Sequence, residues 1–454
     1  MNSFPLLNPL HWGYNGTVTQ HVSPTSVKLT LKETKTAITF NQFINEYVTG
    51  LRNGASFQLN PKLFTGILQT LYLSSADFSK TFQVFYGREV VTYSDKGIST
   101  ADYVLTKEWS EKYAIKPFTS SYNKDLFSQD EKETHLENWP RLQPRTRYLT
   151  EEEKIKYIEN DTRPLIVIMH GLCGGSHEPI IRSLAEKLSA SGVFQVVVLN
   201  TRGCARSKIS TQKLFSGFST GDLREFINAK IAKNPDRRIY CVGFSFGATL
   251  LANYLGEEGE KCPVKAACTL CNPWDMVHAA EKMTQDFWSK TLFSKAIAQF
   301  LVRLVKVNMK ELEQPEDVNN EVFTQISKHN PSTHVFTKSN LSKAKNFKNT
   351  MEFDNTYTAP CLGYESALSY YADVTSILRV PQIAVPFLVI NSEDDPVVGT
   401  STPRIIKTMV SNKNVVFCST DLGGHLCYLD KNYDSWCNVQ IANYFEKFET
   451  LIEN

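Results

Sequence analysis

From residue 164 onwards, the chain alternates between continuous apolar runs and amphipathic stretches. Apolar runs such as "PLIVIMHG" and "FQVVVLN" end at loops rich in glycine or polar residues, as buried parallel strands do. Between them lie "EPIIRSLAEKLSASG" and "GDLREFINAKIAK", which carry apolar residues at helical spacing. Because strand and helix alternate, we expect an α/β protein with a mostly parallel, doubly wound sheet.

Changes in this pattern divide the chain of 454 residues into four parts. Residues 1–80 are polar and irregular and are predicted to form an N-terminal extension. Residues 81–275 and 376–454 carry the alternating pattern and are predicted to form the two parts of one core. Residues 276–375 show no strand pattern, which favours a helical lid or cap insertion over the site.

Two features are predicted within the first part of the core. The stretch "REVVTYSDKGISTADYVL" contains two alternating runs around the turn-forming residues Ser94 to Gly97, so it is predicted to be a hairpin. Residues 106–160 are charged and contain several prolines. They are predicted to be an extended connection on the surface.

The composition excludes several classes of protein. A hydrophobic content of 42% and a formal net charge of +2 suit a globular protein and give no reason to expect a nucleic-acid partner. No apolar run approaches the roughly 20 residues of a membrane span. The ten cysteines follow residue 172, and many lie in apolar runs, which indicates free thiols in an intracellular, reducing compartment. The pair Cys268-x-x-Cys271 is expected to pack in the core, with no metal bound.

The segment Gly243-Phe244-Ser245-Phe246-Gly247 lies between a predicted strand and a predicted helix. A sharp turn from strand to helix presents its central Ser at the carboxyl edge of the sheet, where ligands bind in such folds. The turn also brings backbone segments close together, so larger side chains at 243 and 247 would clash. Ser245 is therefore the candidate nucleophile.

A serine nucleophile needs a base and an acid, and both are predicted from loops late in the chain. His425 follows the last strand pattern in "DLGGHLCYLD", and Asp395 follows the preceding strand in "NSEDDPVVG". The order Ser, Asp, His is that of a hydrolase triad. Asp394 is the nearest alternative to Asp395, and Asp275 in "NPWD" is a third.

The oxyanion of an acyl-transfer intermediate requires preorganised donors. The backbone N–H of Phe246 follows the nucleophile, and the N–H of Leu172 lies in the loop after "IVIMHG". We predict that these two groups form the oxyanion hole. His170, in the same loop, is an alternative base, but a structural role in holding the loop is favoured.

The stretch "LFSKAIAQFLVRLVKV" places apolar residues at helical spacing among cationic ones. It fits a lid helix that contacts a lipid surface, and it also fits ordinary packing against the core, which is favoured.

Several of these motifs together resemble one known family. The segments "HGLCGGSHEP", "NTRGCARSKI", "VGFSFGATLLANYLGEEG", "DDPVVG" and "DLGGHLCYLD" closely resemble the yeast medium-chain fatty acid ethyl ester synthases/esterases, also called ethanol hexanoyltransferases, of the α/β-hydrolase superfamily. The resemblance extends to "HWGYNGTV", "LFTGILQTLY" and "WPRLQPRTRYL" near the N-terminus. Departures at Cys173, Phe244 and Cys427 are minor, and the first two are expected to alter the acyl pocket.

The resemblance implies an α/β-hydrolase fold with Ser245, Asp395 and His425 as its triad. It also implies a serine acyltransferase that makes ethyl esters from medium-chain acyl-CoA and ethanol, hydrolyses esters and thioesters, and needs no cofactor or metal. Its implied partners are small-molecule substrates and the surface of lipid droplets or of the outer mitochondrial membrane. Two alternatives stay open, namely an esterase or monoacylglycerol lipase that uses water only, and a non-catalytic lipid-binding protein.

Overall fold

The structure of the protein is a computed structural model. It describes residues 12–78, 81–105, 107–116, 121–315 and 334–453.

Thirteen β-strands are formed by the described residues. They are β1 Asn15–Val22, β2 Lys28–Thr30, β3 Ala37–Thr39, β4 Ser56–Gln58, β5 Tyr86–Thr92, β6 Ile98–Val104, β7 Thr146–Tyr148, β8 Leu165–Met169, β9 Gln195–Asn200, β10 Ile239–Phe244, β11 Val264–Leu270, β12 Phe387–Ser392 and β13 Val415–Thr420.

The same described residues form eighteen α-helices. They are α1 Phe40–Tyr47, α2 Gly66–Ser75, α3 Lys107–Lys112, α4 Lys124–Thr134, α5 Glu151–Lys154, α6 Pro179–Ala190, α7 Thr220–Lys233, α8 Phe246–Glu258, α9 Met276–Gln285, α10 Phe287–Ser289, α11 Lys295–Val307, α12 Met309–Leu312, α13 Lys338–Ala344, α14 Thr350–Thr356, α15 Thr358–Cys361, α16 Ala367–Val374, α17 Pro403–Ser411 and α18 Trp436–Leu451.

Eleven strands form one sheet in the order β4-β1-β13-β12-β11-β10-β8-β9-β6-β5-β7. Strands β8 to β13 run parallel at its centre. Residues of α6 and α18 belong to the hydrophobic core on one face, and residues of α7, α8 and α17 belong to the core on the other. The predicted doubly wound, mostly parallel sheet is therefore confirmed, and each predicted strand of the alternating region is present.

The N-terminal region differs from its prediction as irregular chain. Strand β1 pairs antiparallel with β13 and with β4, so it extends the central sheet at one edge. Its sequence, "NGTVTQHV", alternates between exposed and buried positions over only its first residues. A polar edge strand of this kind has a weak apolar pattern because its stability comes from pairing within the tertiary structure.

The hairpin prediction is confirmed, because β5 and β6 pair antiparallel from Thr92 and Ile98 outwards. Residues 106–160, by contrast, are more than a surface connection. They form α3, α4, β7 and α5, and they bury Trp109, Tyr113 and Phe127. Phe127 packs against both Trp109 and Tyr113. Because it lies on a different helix and outside their local spacing, only the folded chain shows this contact.

The described residues between 276 and 375 form helices α9 to α16 and no strand, whereas residues 316–333 of this predicted lid lie outside the described part. Helix α11 buries Leu301 and Leu304 in the lid, as ordinary packing predicts. Phe300 and Val307 on the same helix remain 55% and 65% exposed. None of the described helices is long and apolar enough to cross a membrane.

Candidate active site

Ser245 occupies a strained turn between β10 and α8, with φ 51° and ψ −117°. The two neighbouring glycines make this turn sterically feasible. A Cβ on Gly243 would lie 2.6 Å from the carbonyl oxygen of Gly247, and a Cβ on Gly247 would lie 2.4 Å from the carbonyl oxygen of His170. The predicted reason for both glycines is thus visible in the structure, and the turn presents Ser245 at the carboxyl end of β10.

The structure brings Ser245, His425 and Asp395 together. The Nε2 of His425 lies 2.9 Å from the Oγ of Ser245, and its Nδ1 lies 2.8 Å from the Oδ2 of Asp395. The Asp395 side chain is fully buried, and its Oδ1 accepts hydrogen bonds from the N–H groups of Val397 and Val398. These bonds hold the carboxylate in one orientation, so it can fix the His425 ring with Nε2 toward Ser245.

The two alternative acids have other partners. The Oδ1 of Asp394 accepts a hydrogen bond from the N–H of Gly424. Asp275 caps helix α9 by accepting hydrogen bonds from Val277 and His278, and it pairs with Arg404. Among these three carboxylates, the hydrogen bond to the His425 ring is made by Asp395.

The pKa of Asp394 is raised to about 7, mainly because burial disfavours its charged form. In the unfolded chain the carboxyl ionises near 3.8. Between these values the folded protein holds a proton that the unfolded chain has lost, so this group lowers stability as pH rises. Asn does not titrate, so Asp394→Asn should avoid this loss. As pH rises from about 4 to about 7, we expect the free energy of unfolding of the variant to gain on the order of 1–2 kcal/mol over that of wild type.

Urea denaturation of both proteins at about pH 5 and about pH 8 measures this difference. The amide oxygen of Asn can still accept the hydrogen bond from Gly424, so the contact itself is preserved. A difference between the two proteins that stays constant with pH would contradict the assignment.

The two predicted oxyanion donors lie near the nucleophile. Phe246 is the first residue of α8, and its N–H has no partner within that helix because the first N–H groups of a helix lack one. The side chains of Leu172 and Phe246 line the same cavity as Ser245. In the described part of the chain, neither N–H donates a hydrogen bond to another backbone group outside the regular elements. The assignment of these two groups as the oxyanion hole stays a prediction.

His170 is held within the loop after β8. Its Nδ1 lies 2.7 Å from the carbonyl oxygen of Gly171, and its Nε2 accepts a hydrogen bond from the N–H of Thr201. Burial lowers its pKa to about 4. Since both ring nitrogens are engaged, His170 holds the loop in place, which agrees with the structural role that we favoured.

The alpha/beta hydrolase fold family model matches residues 164–432. Over 453 residues, the chain is 56% identical to medium-chain fatty acid ethyl ester synthase/esterase 2 of Saccharomyces cerevisiae, covering 100% of this chain and 99% of that protein. The chain belongs to this family of α/β hydrolases.

Two further similarities are more distant. The hydrolase is 28% identical over 416 residues to a monoacylglycerol lipase of Saccharomyces cerevisiae, covering 91% of this chain and 86% of the lipase. A crystal structure of a Pyrococcus furiosus esterase aligns with a TM-score of 0.42 and 12% identity, covering 82% of this chain and 93% of the esterase.

A buried polar network supports the loop that follows β8 and carries Leu172 and Ser176. Arg88 and Asp102, both fully buried, form two hydrogen bonds of 2.7 Å. Asp102 also accepts hydrogen bonds from Ser176, in that loop, and from Asn200 at the end of β9. The network therefore connects the loop to the sheet through charge-assisted bonds.

Removal of one charge from this network should destabilise the protein strongly. For Asp102→Ala we expect the free energy of unfolding to fall by about 3–5 kcal/mol, because Arg88 would be left buried and uncompensated. Chemical denaturation measures the change. Glu453→Ala is the control, since it removes an exposed ion pair with Lys35 and should cost less than about 1 kcal/mol. Equal effects of the two substitutions would contradict this account.

Helix α2, from the predicted N-terminal extension, supports the loop of His425. The Oγ1 of Thr70 accepts a hydrogen bond from the N–H of His425 at 3.0 Å. Gln69 accepts a hydrogen bond from the N–H of Leu429 and donates to the carbonyl oxygen of the same residue. Sequence reasoning missed these residues. The only signal for them was the family-like segment "LFTGILQTLY".

The pair Cys268-x-x-Cys271 packs without a disulfide, and both thiols are buried. Cys268 lies in the sheet core, as expected. Cys271 has a further role, because its Sγ accepts a hydrogen bond from the N–H of Leu426, next to the candidate base. Ligand atoms of Cys271, Asp395 and His425 lie within 4.8 Å of one another, a spacing that a metal ion could bridge. Two of these groups, Asp395 and His425, are hydrogen-bonded to each other. The prediction that the protein needs no metal stays a prediction.

Three adjoining spaces lie between the sheet and the lid. The Ser245 cavity, of about 90 Å³, is lined mainly by apolar side chains including Leu172, Phe246 and Ile297. An inner cavity of about 80 Å³ shares Leu172 and Phe246 with it. An outer pocket of about 540 Å³ in turn shares Phe215 with the inner cavity. The nucleophile thus lies at one end of two mostly apolar cavities, beyond which the outer pocket also carries charged residues such as Asp95, Arg202 and Glu225.

Proposed function

We propose that the protein is a serine-dependent acyltransferase that makes medium-chain fatty acid ethyl esters from acyl-CoA and ethanol. It would also hydrolyse esters and thioesters through the same acyl-serine intermediate. The observation that carries the proposal is the pair of hydrogen bonds joining Ser245, His425 and Asp395 at 2.9 and 2.8 Å. The full-length similarity to an ethyl ester synthase/esterase supports this choice of substrates.

The first half of the proposed reaction acylates Ser245. His425 Nε2 takes the hydroxyl proton as Ser245 Oγ attacks the thioester carbonyl carbon. The N–H groups of Leu172 and Phe246 donate hydrogen bonds to the resulting oxyanion. The carbon–sulfur bond then breaks, and His425 returns the proton to the departing thiolate.

The second half transfers the acyl group. His425 removes a proton from ethanol as the alcohol oxygen attacks the acyl–Ser245 carbonyl, and the ester leaves when Ser245 is reprotonated. Water can attack in the same way, which gives free acid. Because apolar side chains line the Ser245 cavity, we expect ethanol to compete well with water there.

A hydrolase that uses water only is the second candidate function. The similarity to a monoacylglycerol lipase over 91% of this chain favours it. The triad geometry serves either acceptor equally, so the two candidates differ only in the product that is formed.

The deciding experiment incubates purified protein with octanoyl-CoA, with and without ethanol, and measures ethyl octanoate and free octanoate by gas chromatography. Ethyl octanoate that increases with ethanol and is absent with the Ser245→Ala variant would support the transferase. Free octanoate alone, still dependent on Ser245, would establish the hydrolase and overturn ethyl ester synthesis. Equal products from wild type and variant would overturn the triad.

We also propose that the protein acts inside the cell at a lipid surface, such as a lipid droplet or the outer mitochondrial membrane. Helix α11 supports this, because Phe300 and Val307 are exposed beside the exposed cations Lys295, Arg303 and Lys306. Such a face suits an anionic lipid interface. Flotation with anionic vesicles tests it, and a Phe300→Glu, Val307→Glu double variant that binds as wild type does would contradict it.

A further inference from the structure

The inner cavity contains a carboxyl group that the proposed reaction does not use. Asp354, on α14, lines this cavity, and the hydroxyl of Tyr371 on α16 donates a hydrogen bond to its Oδ2. The ring of Tyr371 lines both the inner cavity and the Ser245 cavity. Asp354 and Tyr371 therefore lie where the Ser245 cavity adjoins the inner cavity.

Most of the wall around this carboxyl is apolar. The side chains of Leu301, Leu304 and Phe353 line the same cavity as Asp354. Burial raises the pKa of Asp354 to about 6, which shows how poorly this environment solvates a charge. A carboxyl group in such a wall is unusual for a cavity that receives hydrocarbon, because apolar lining alone would bind an alkyl chain better.

The position of the inner cavity suggests its role. It lies between the Ser245 cavity and the outer pocket of about 540 Å³, and it shares Phe215 and Thr358 with that pocket. An acyl chain attached to Ser245 would fill the first cavity and, if longer, would have to pass Asp354 to reach the larger space beyond. Cys173 and Phe244, which the sequence suggested as influences on the acyl pocket, line none of these three cavities.

We propose that Asp354, held by Tyr371, sets the upper limit on acyl-chain length. The inference rests on the proposed acyl–Ser245 reaction, because it assumes that the acyl chain extends from Ser245 into these cavities. A chain that ends before the carboxyl leaves its solvation undisturbed. A longer chain would place methylene groups against the polar carboxyl, which is unfavourable without a compensating hydrogen bond.

The test compares hydrolysis of p-nitrophenyl butanoate, octanoate, dodecanoate and hexadecanoate by wild type, Asp354→Leu and Asp354→Asn. For Asp354→Leu we expect the ratio of kcat/KM for dodecanoate to that for octanoate to rise about 10-fold or more, as extra methylenes gain apolar contact. Asp354→Asn should raise the ratio less, because it removes the charge but keeps a polar group. Activity on butanoate should change little in either variant.

Asp373→Asn is the matched control, since Asp373 also accepts a hydrogen bond from a lid tyrosine, Tyr364, yet lines none of the three cavities. Its chain-length ratio should equal that of wild type. If Asp354→Leu does not fold, the nearly isosteric Asp354→Asn still decides the question. An unchanged ratio in the folded variants, or an equal shift in Asp373→Asn, would overturn the chain-length role while Ser245-dependent hydrolysis still stands. Failure of the proposed acyl–Ser245 step would instead appear as turnover that persists in Ser245→Ala.

Discussion

Replacement of Ser245 by Ala is expected to lower kcat for ester hydrolysis about a millionfold, to the level left by binding and the oxyanion donors. The hydroxyl is the atom that His425 activates at 2.9 Å, and the methyl group of Ala cannot form an acyl intermediate. Turnover of p-nitrophenyl octanoate with active-site titration of the wild type measures the change. Since Ala removes only one oxygen, the fold should be retained.

Ser411→Ala is the control for this substitution. Ser411 is exposed at the end of α17, and its hydroxyl donates only to the carbonyl oxygen of Thr408. Its kcat should equal that of wild type, and thermal unfolding should show that both variants are folded. Activity of Ser245→Ala within tenfold of wild type would mean that another residue is the nucleophile.

The substitution Asp395→Asn should lower kcat about 10,000-fold while it leaves the protein folded. The Oδ2 of Asp395 lies 2.8 Å from Nδ1 of His425. An amide in its place can donate to Nδ1 and so favour the wrong tautomer, with the proton on Nε2, where the ring cannot accept the proton of Ser245. It also removes the negative charge that stabilises the imidazolium.

The neighbouring variant Asp394→Asn separates the two candidate acids. Because Asp394 bonds to Gly424 and makes no hydrogen bond to the His425 ring, we expect its kcat to stay within about tenfold of wild type. Steady-state kinetics and circular dichroism of both variants provide the comparison. A large loss in Asp394→Asn with little loss in Asp395→Asn would reverse the assignment.

Local signals explain why much of the site could be predicted. The glycines at 243 and 247 are required by close backbone approach within one turn, so a short segment carries the whole requirement. The order of Ser245, Asp395 and His425 follows from which strands precede each loop, and the strands are recognisable from their apolar runs. The position of His170 in the loop was likewise predictable, because it directly follows the apolar run of β8.

Other features depend on contacts between distant parts of the chain. Thr70 bonds to His425 across 355 residues, and β1 joins the sheet through β13. Neither leaves a periodic pattern, because a single hydrogen bond or an edge pairing constrains few residues. The choice between Asp394 and Asp395 is similar, since adjacent side chains project in different directions and only the folded loop shows which one meets the histidine.

Short-range patterns predict the alternating α/β core, the turn that carries Ser245 and the loops that supply the acid and the base, because periodicity and glycine sterics act over short stretches. The folded chain is needed to show that Asp395 is the carboxylate bonded to His425, that α2 supports the loop of His425, and that Asp354 lines the inner cavity. These outcomes depend on packing between segments far apart in the chain, and such packing leaves no local pattern in either segment.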